Sequence, residues 1–152
     1  MKIETAKRTE YIILIEIWEA SVRATHEFLA EADIVRLKPL ILENYFDAVD
    51  LRCAKDEEGH IIGFIGVAND KIEMLFIAPE YRGRGIGEAL TEYAIKYQGA
   101  ITVDVNEQNI QAVGFYEHIG FKVISRSETD GQGMPYPLLH MKLENNLLNS
   151  GN

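Results

Sequence analysis

An α/β chain with a largely antiparallel sheet is predicted by three features of the sequence. Strand-like and helix-like segments alternate in the order β-α-α-β-β-β-loop-α-β-α-β-β. Three of the strand-like runs follow one another across short polar turns, which makes an antiparallel meander. A glycine-rich loop, PEYRGRGIG at 79–87, then opens a helix at once.

The elements follow in order. KIETA, at Lys2 to Ala6, alternates weakly as a first strand. A helix is expected from about Glu10 to Thr25, with Ile13, Ile17, Ala20, Val22 and Ala24 as its apolar positions. THEFLAEAD breaks it, and a second helix runs from about Ala32 to Tyr45, where Pro39 predicts a kink or a division into two pieces. AVDLRCAK, the turn DEEGH and IIGFIGVA read as a hairpin. Asn69–Asp70 makes the next turn, and Lys71 to Ala78 the next strand. Beyond the glycine loop, Ile86, Leu90, Ala94 and Tyr97 recur at helical spacing, and QGA ends that helix. Ala100 to Val105 is a strand. NIQAVGFYEHIGF is a helix with Ile110, Val113 and Ile119 among its apolar residues, closed by a left-handed cap at Gly120. FKVISR and YPLLHMKL are the last strands, on either side of the insert SETDGQGMP. Residues 1–144 are expected to form one domain and residues 145–152 a frayed tail.

Composition narrows the function. With 152 residues, 47% of them hydrophobic and 26% charged, the chain has the make-up of a globular protein. No apolar run approaches the roughly 18 residues of a membrane helix; the longest, Tyr11 to Trp18, is interrupted by Glu16. No signal peptide is evident, and the single cysteine, Cys53, fits a small core residue in a reducing cytoplasm. No histidine and cysteine cluster has zinc spacing, so no metal is expected. A net charge of −9 argues against nucleic-acid binding, and leaves Arg82 and Arg84 as a local positive spot suited to an anion.

Glycines at 83, 85 and 87 let backbone amides approach a bulky ligand, and the helix behind them adds unpaired amides and a positive dipole end. Together these make a phosphate or pyrophosphate site. A P-loop is excluded, because Glu88 and Ala89 stand where Lys and Ser/Thr are required. A dinucleotide fingerprint fails at its sixth position, Glu88, although Asp104 lies 21 residues after Gly83, where a ribose-binding acid belongs.

Arg82-x-x-Gly85-x-Gly87 resembles the Arg/Gln-x-x-Gly-x-Gly/Ala signature of the GNAT acyltransferase superfamily. NEQNIQAVGFYEHIGF resembles that superfamily's second motif. ATHEFL, VNEQN, QAVGFY, GFKV and PYPLL look like the small YjaB-type bacterial acetyltransferases. The resemblance implies a mixed, mostly antiparallel sheet of six to seven strands with splayed central strands, flanked by about four helices. It implies transfer of an acetyl group from acetyl-CoA to a primary amine, on a small molecule or a peptide, in a monomer or homodimer.

Carried onto this sequence, the resemblance assigns the pyrophosphate of CoA to Arg82, Gly83, Arg84, Gly85, Ile86 and Gly87. The pantetheine arm would pair with the backbone of Leu75, Phe76 and Ile77, and Asn109 would contact it or simply cap its helix. Tyr116 is the expected general acid, protonating the departing thiolate; its alternative is a core aromatic. For the general base, Glu73 on the strand before the loop and His26 between the first two helices are the candidates, with His140 behind them. Arg23, His26, Phe28 and Tyr136 are the expected acceptor-site lining, whereas Trp18 reads as core. An acyl-CoA-binding module of the same fold that turns nothing over is the alternative function.

Overall fold

In the computed structural model, which describes residues 1–25 and 29–144, seven strands form one sheet in the order β1-β2-β3-β4-β5-β7-β6. β1 (Lys2–Thr5) precedes α1 (Tyr11–Thr25) and α2 (Glu31–Leu40). The meander β2 (Asp50–Lys55), β3 (Ile61–Ala68) and β4 (Lys71–Ile77) leads to α3 (Ile86–Tyr97). β5 (Thr102–Asn106), α4 (Ile110–Ile119), β6 (Phe121–Ser127) and β7 (Leu138–Leu143) complete the order. The predicted order therefore holds, and the tail expected at 145–152 lies outside the described residues.

Every strand pair is antiparallel except β4–β5. That parallel pair is short, joining only Lys71 to Thr102 and Ile72 to Val103. β4 continues along β3 as far as Ile77, and β5 continues along β7 as far as Asn106. The two central strands thus part after Ile72 and leave their facing edges unpaired.

Two cores cover the two faces of the sheet. Leu90 and Ala94 of α3 and Tyr116 of α4 pack with Ile65, Val103 and Met141 on one face. Leu14, Trp18 and Val22 of α1 and Ile34 of α2 pack with Leu51, Cys53 and Phe64 on the other. Cys53 and Trp18 are core residues, as expected.

Three expected faces need correction. α1 buries Leu14, Ile15, Ile17, Trp18, Ser21 and Val22, while Ile13, Ala20 and Ala24 face solvent. A helix so rich in isoleucine offers more than one apolar stripe, and packing against Phe46 and Phe64 selects the one centred on Trp18. Tyr97 is exposed at the end of α3, its ring tilted against that of Tyr93 at 4.8 Å, and Ile110 is exposed at the first turn of α4. The division expected at Pro39 falls one residue later, where the α-helix ends at Leu40. The amide of Ile41 shares the carbonyls of Leu37 and Lys38, and the helix widens into a π turn over Ile41–Tyr45. The missing proline donor is absorbed by a change of hydrogen-bond step two residues later.

Candidate active site

The site begins where β4 meets its helix. A single turn at Pro79–Tyr81 brings the chain to Arg82, and Gly83 and Gly85 follow with φ of 77° and 80°. A Cβ at either glycine would touch nothing within 4 Å, so glycine is needed here for backbone conformation and not for room. Two left-handed residues in a span of three curl the loop so that successive amides face one side. The first amide with a helical acceptor is that of Ala89, which bonds the Gly85 carbonyl at 3.0 Å. Among the described residues, the amides of 83–88 bond no backbone acceptor and no side chain caps the helix.

Gly83 and residues 85–88 of this loop line a cavity of about 480 Å³ that continues along the unpaired edge of β4. The cavity brings together Arg82, Gly83, Gly85, Ile86 and Gly87 at one end with Leu75, Phe76 and Ile77 along the strand. Asn109 and Tyr116 form the α4 side. Ten of the residues expected to bind cofactor or act in catalysis thus share one wall. Arg82 reaches across to Gln111 Oε1 at 3.0 Å, tying the loop to α4. Asn109 caps α4 through its Oδ1, which accepts from the Ala112 amide at 3.1 Å. Arg84 lies outside the cavity wall, with its guanidinium 5.0 Å above the Tyr81 ring.

Tyr116 is buried between Phe115 and Phe121, with edge-on ring contacts at 5.0 and 5.6 Å. Among the described residues its hydroxyl has no hydrogen-bond partner, although the residue lines the cavity. Burial pushes its phenol well above the ordinary value of 10.0, so it stays protonated in neutral solution.

Glu73 does not line this cavity. It is the extra residue of a bulge, because Val67 pairs with Ile72 and Gly66 with Met74. Ile72, Leu75 and Ile77 pack in the α3–α4 core while Met74 and Phe76 pack in the α1–α2 core, which puts Glu73 on the α1–α2 face. The residue is exposed, yet neighbouring strands strip enough water from its carboxyl to raise its pKa. His140 stands on the same face, with Nδ1 2.6 Å from Asp104 Oδ1. Asp104, the mimic of a ribose-binding acid, is engaged there and with Lys71 instead.

Of the expected acceptor residues, Arg23 and Tyr136 lie outside the main cavity. His26 and Phe28 lie outside the described residues. Arg23, at the end of α1, pairs with Glu19 at 2.9 Å and with Glu31. Tyr136 lines a separate cavity of about 250 Å³ with Asp33, Arg36 and Gln132, and its hydroxyl donates to the Asp33 carboxylate. Sequence reasoning missed Ser21, Thr25, Tyr81, Gln111 and Phe115 in the main cavity. Tyr81 and Phe115 adjoin motif residues and were within reach of it; Ser21 and Thr25 enter from α1, which carries no local signal. Among the described residues, no three His, Cys, Asp or Glu side chains gather as metal ligands, and no helix is long and apolar enough to cross a membrane.

Residues 36–145 match the family described as Acetyltransferase (GNAT) domain. The chain is 41% identical to the peptidyl-lysine N-acetyltransferase YjaB of Salmonella typhimurium over 93% of its length and 97% of that protein's. Its fold is similar to the solution structure of apo YjaB from Escherichia coli, with a TM-score of 0.84 at 40% identity, covering 93% of this chain and 95% of that one. A PaiA N-acetyltransferase from Thermoplasma acidophilum, solved with coenzyme A, shares the fold with a TM-score of 0.70 at 24% identity, over 94% and 98% of the two chains.

Proposed function

Because the chain belongs to the GNAT acetyltransferase family and has that family's fold, we propose that it transfers an acetyl group from acetyl-CoA to the side-chain amine of a peptidyl lysine. The observation that carries this reading is the single cavity that joins the amides of the glycine loop to Tyr116 along an unpaired strand edge. The loop suits a pyrophosphate by geometry and by charge, through its free amides and Arg82. The free edge of β4 at Leu75–Ile77 suits an amide-bearing arm that adds to the sheet as a strand does. The lysine acceptor is taken from the name of the relatives that match nearly end to end.

Acetyl-CoA supplies an electrophilic acyl carbon and a thiol leaving group. The residues of this chain supply the rest. Amides on the open β4 edge donate to the thioester oxygen as negative charge grows on it. Glu73, with its raised pKa, takes the proton that an ammonium must lose before its nitrogen can attack. The nitrogen bonds the acyl carbon, and Tyr116 gives its proton to the sulfur as the carbon–sulfur bond breaks; the second proton, shed by the newly bonded nitrogen, passes through solvent and restores the Tyr116 hydroxyl. The buried, free thiol of Cys53 accords with action in a reducing cytoplasm.

The test is acceptor-dependent thiol release from acetyl-CoA with a panel of lysine peptides, free polyamines and peptides blocked at lysine. Lysine peptides are expected to be turned over and the blocked ones not. Tyr116→Phe is expected to lower kcat by about 100-fold, at the lower end of general-acid contributions, while CoA affinity stays within about twofold, because the ring keeps its packing. Tight CoA binding with no turnover on any acceptor would establish the acyl-CoA-binding alternative.

A further inference from the structure

On the α1–α2 face, a line of polar contacts crosses four strands. Lys71 Nζ on β4 bonds Asp104 Oδ2 on β5 at 2.9 Å. Asp104 Oδ1 lies 2.6 Å from Nδ1 of His140 on β7, whose Nε2 lies 2.6 Å from the Ser127 hydroxyl on β6. A carboxylate only accepts, so Nδ1 is the protonated nitrogen, and a neutral ring takes the Ser127 hydroxyl hydrogen at Nε2. Both oxygens of Asp104 are therefore committed. Burial alone would raise the Asp104 carboxyl, but Lys71 and His140 outweigh it and hold the group below the usual carboxylate range.

Glu73 stands beside this line and outside it. Among the described residues it has no hydrogen bond and no ion pair. Lys71 and Glu73 flank Ile72, whose side chain enters the α3–α4 core, so both project from the other face of the same strand. An ammonium on a long stem is the natural partner of a carboxylate two residues away on one face. Here it crosses to β5 instead.

We propose that Asp104 is a positioning residue of the acyl-transfer site: by holding the Lys71 ammonium on β5, it leaves Glu73 unpaired where β4 and β5 part. The catalytic consequence rests on the reading of Glu73 as the base. A carboxylate bridged to an ammonium is a weaker base, since an opposite charge within 4–6 Å lowers a carboxyl pKa by roughly 1–3 units. Three influences act on Glu73: partial burial raises its pKa most, Lys71 lowers it, and Asp104 raises it. Other charged groups on the elements packed there are engaged elsewhere. Glu16, Glu19 and Arg23 of α1 pair with Lys38 and Glu31 of α2. β3 brings no charged residue, and His140 is turned to Asp104.

The experiment is a ¹³C titration of the Glu73 side-chain carboxyl in the full chain, run beside the pH profile of kcat/KM. Wild type, Asp104→Asn, Lys71→Met and the double variant are compared. Asp104→Asn is expected to lower the Glu73 midpoint by about 1 unit or more, because Lys71 is released onto it. The acid limb of kcat/KM should move down with it, and the plateau should fall severalfold. Lys71→Met is expected to raise the midpoint, and the double variant to return it close to wild type. A merely structural role for Asp104 would lower activity without moving the titration and without rescue by Lys71→Met, which overturns the proposal. If Asp104→Asn does not fold, Lys71→Met decides, and an unmoved or lowered Glu73 midpoint refutes it. A midpoint that moves while the kinetic limb stays, with an unchanged profile in Glu73→Gln, overturns the base reading alone.

Discussion

Gly85 allows the anion loop to be perturbed without removing a functional side chain. It has φ 80° and ψ 8° as the residue ahead of α3, and an added Cβ would meet nothing within 4 Å. The cost of Gly85→Ala is therefore local: an L-residue in the left-handed region loses about 1–2 kcal/mol, offset by about 0.4–1 kcal/mol from a less flexible unfolded chain. A net loss of about 1 kcal/mol lowers Tm by roughly 2–4 °C in a domain of this size. Gly87 is the matched control, because its φ is ordinary and α3 favours alanine there by up to about 1 kcal/mol. Its new methyl would lie 3.4 Å from Phe115 Cζ, a contact that a small ring shift relieves. Gly87→Ala is thus expected to melt at or above wild type. Both variants should bind CoA more weakly, Gly85→Ala by turning the amides away and Gly87→Ala by placing a methyl in the cavity wall. Losing one amide bond to a charged oxygen, worth about 1.5–3 kcal/mol, raises Kd by about tenfold or more. Thermal unfolding followed by circular dichroism without ligand, and calorimetric titration with CoA, measure the two effects separately. An unchanged Tm together with unchanged CoA affinity in Gly85→Ala would refute the role given to its backbone. Equal destabilisation of both variants would point to crowding instead.

Arg82→Ala should weaken CoA by about tenfold, the loss of one charge-assisted bond. Pantetheine, which lacks the pyrophosphate, should bind as before, and an equal loss for both ligands would remove Arg82 from the anion site. The Cys53 thiol is fully buried and pushed up to about 11 by that burial. It should resist alkylation at pH 8 in the native protein and react within minutes in denaturant, as free-thiol assays would show. Lys55 bridges Glu4 at 2.7 Å and Glu10 at 2.8 Å. Its bond dominates at Glu4, and at Glu10 it and the Lys7 amide outweigh desolvation, so both carboxyls lie below the ordinary 4.5. The unfolded chain then binds more protons as pH falls, so this contribution is present above pH 4.5 and is lost as pH drops through the folded values. Lys55→Met should accordingly flatten the fall in Tm between about pH 5 and pH 3, and an unchanged slope would count against the bridge.

Much of the fold was readable because local signals coincide with element ends. The Asn69–Asp70 turn, the glycine loop and Gly120 each sit at a boundary that the backbone requires, with φ positive at Asn69 and Gly120. Phase along a helix was less readable. Ile13 and Leu14 are equally apolar, and only the aromatic partners across the core decide which is buried. The site divides in the same way. Residues at 82–87, 109 and 116 lie within two contiguous motifs, and the fold brings all of them but Arg84 to one cavity. Residues that meet through long-range packing left no trace in sequence, as with Ser21 and Thr25 in that cavity or Tyr136 on Asp33.

The bulge at Glu73 is the clearest case of a structural feature hidden from sequence. Simple alternation along KIEMLFI would put Ile72, Met74 and Phe76 on one face, with Glu73, Leu75 and Ile77 on the other. The structure instead buries Ile72, Leu75 and Ile77 together in the α3–α4 core. One unpaired residue produces the change of phase, and it sends both Glu73 and Met74 to the α1–α2 side. Its position also accounts for the gap. β5 follows β4 only to Ile72, the residue ahead of the bulge. A bulge adds local twist to its strand, so β4 turns away from β5 at the same point where its edge becomes free. A single insertion in the β3–β4 register thus opens the strand edge, aims Leu75 and Ile77 into the core beside Tyr116, and leaves a carboxylate on the opposite face.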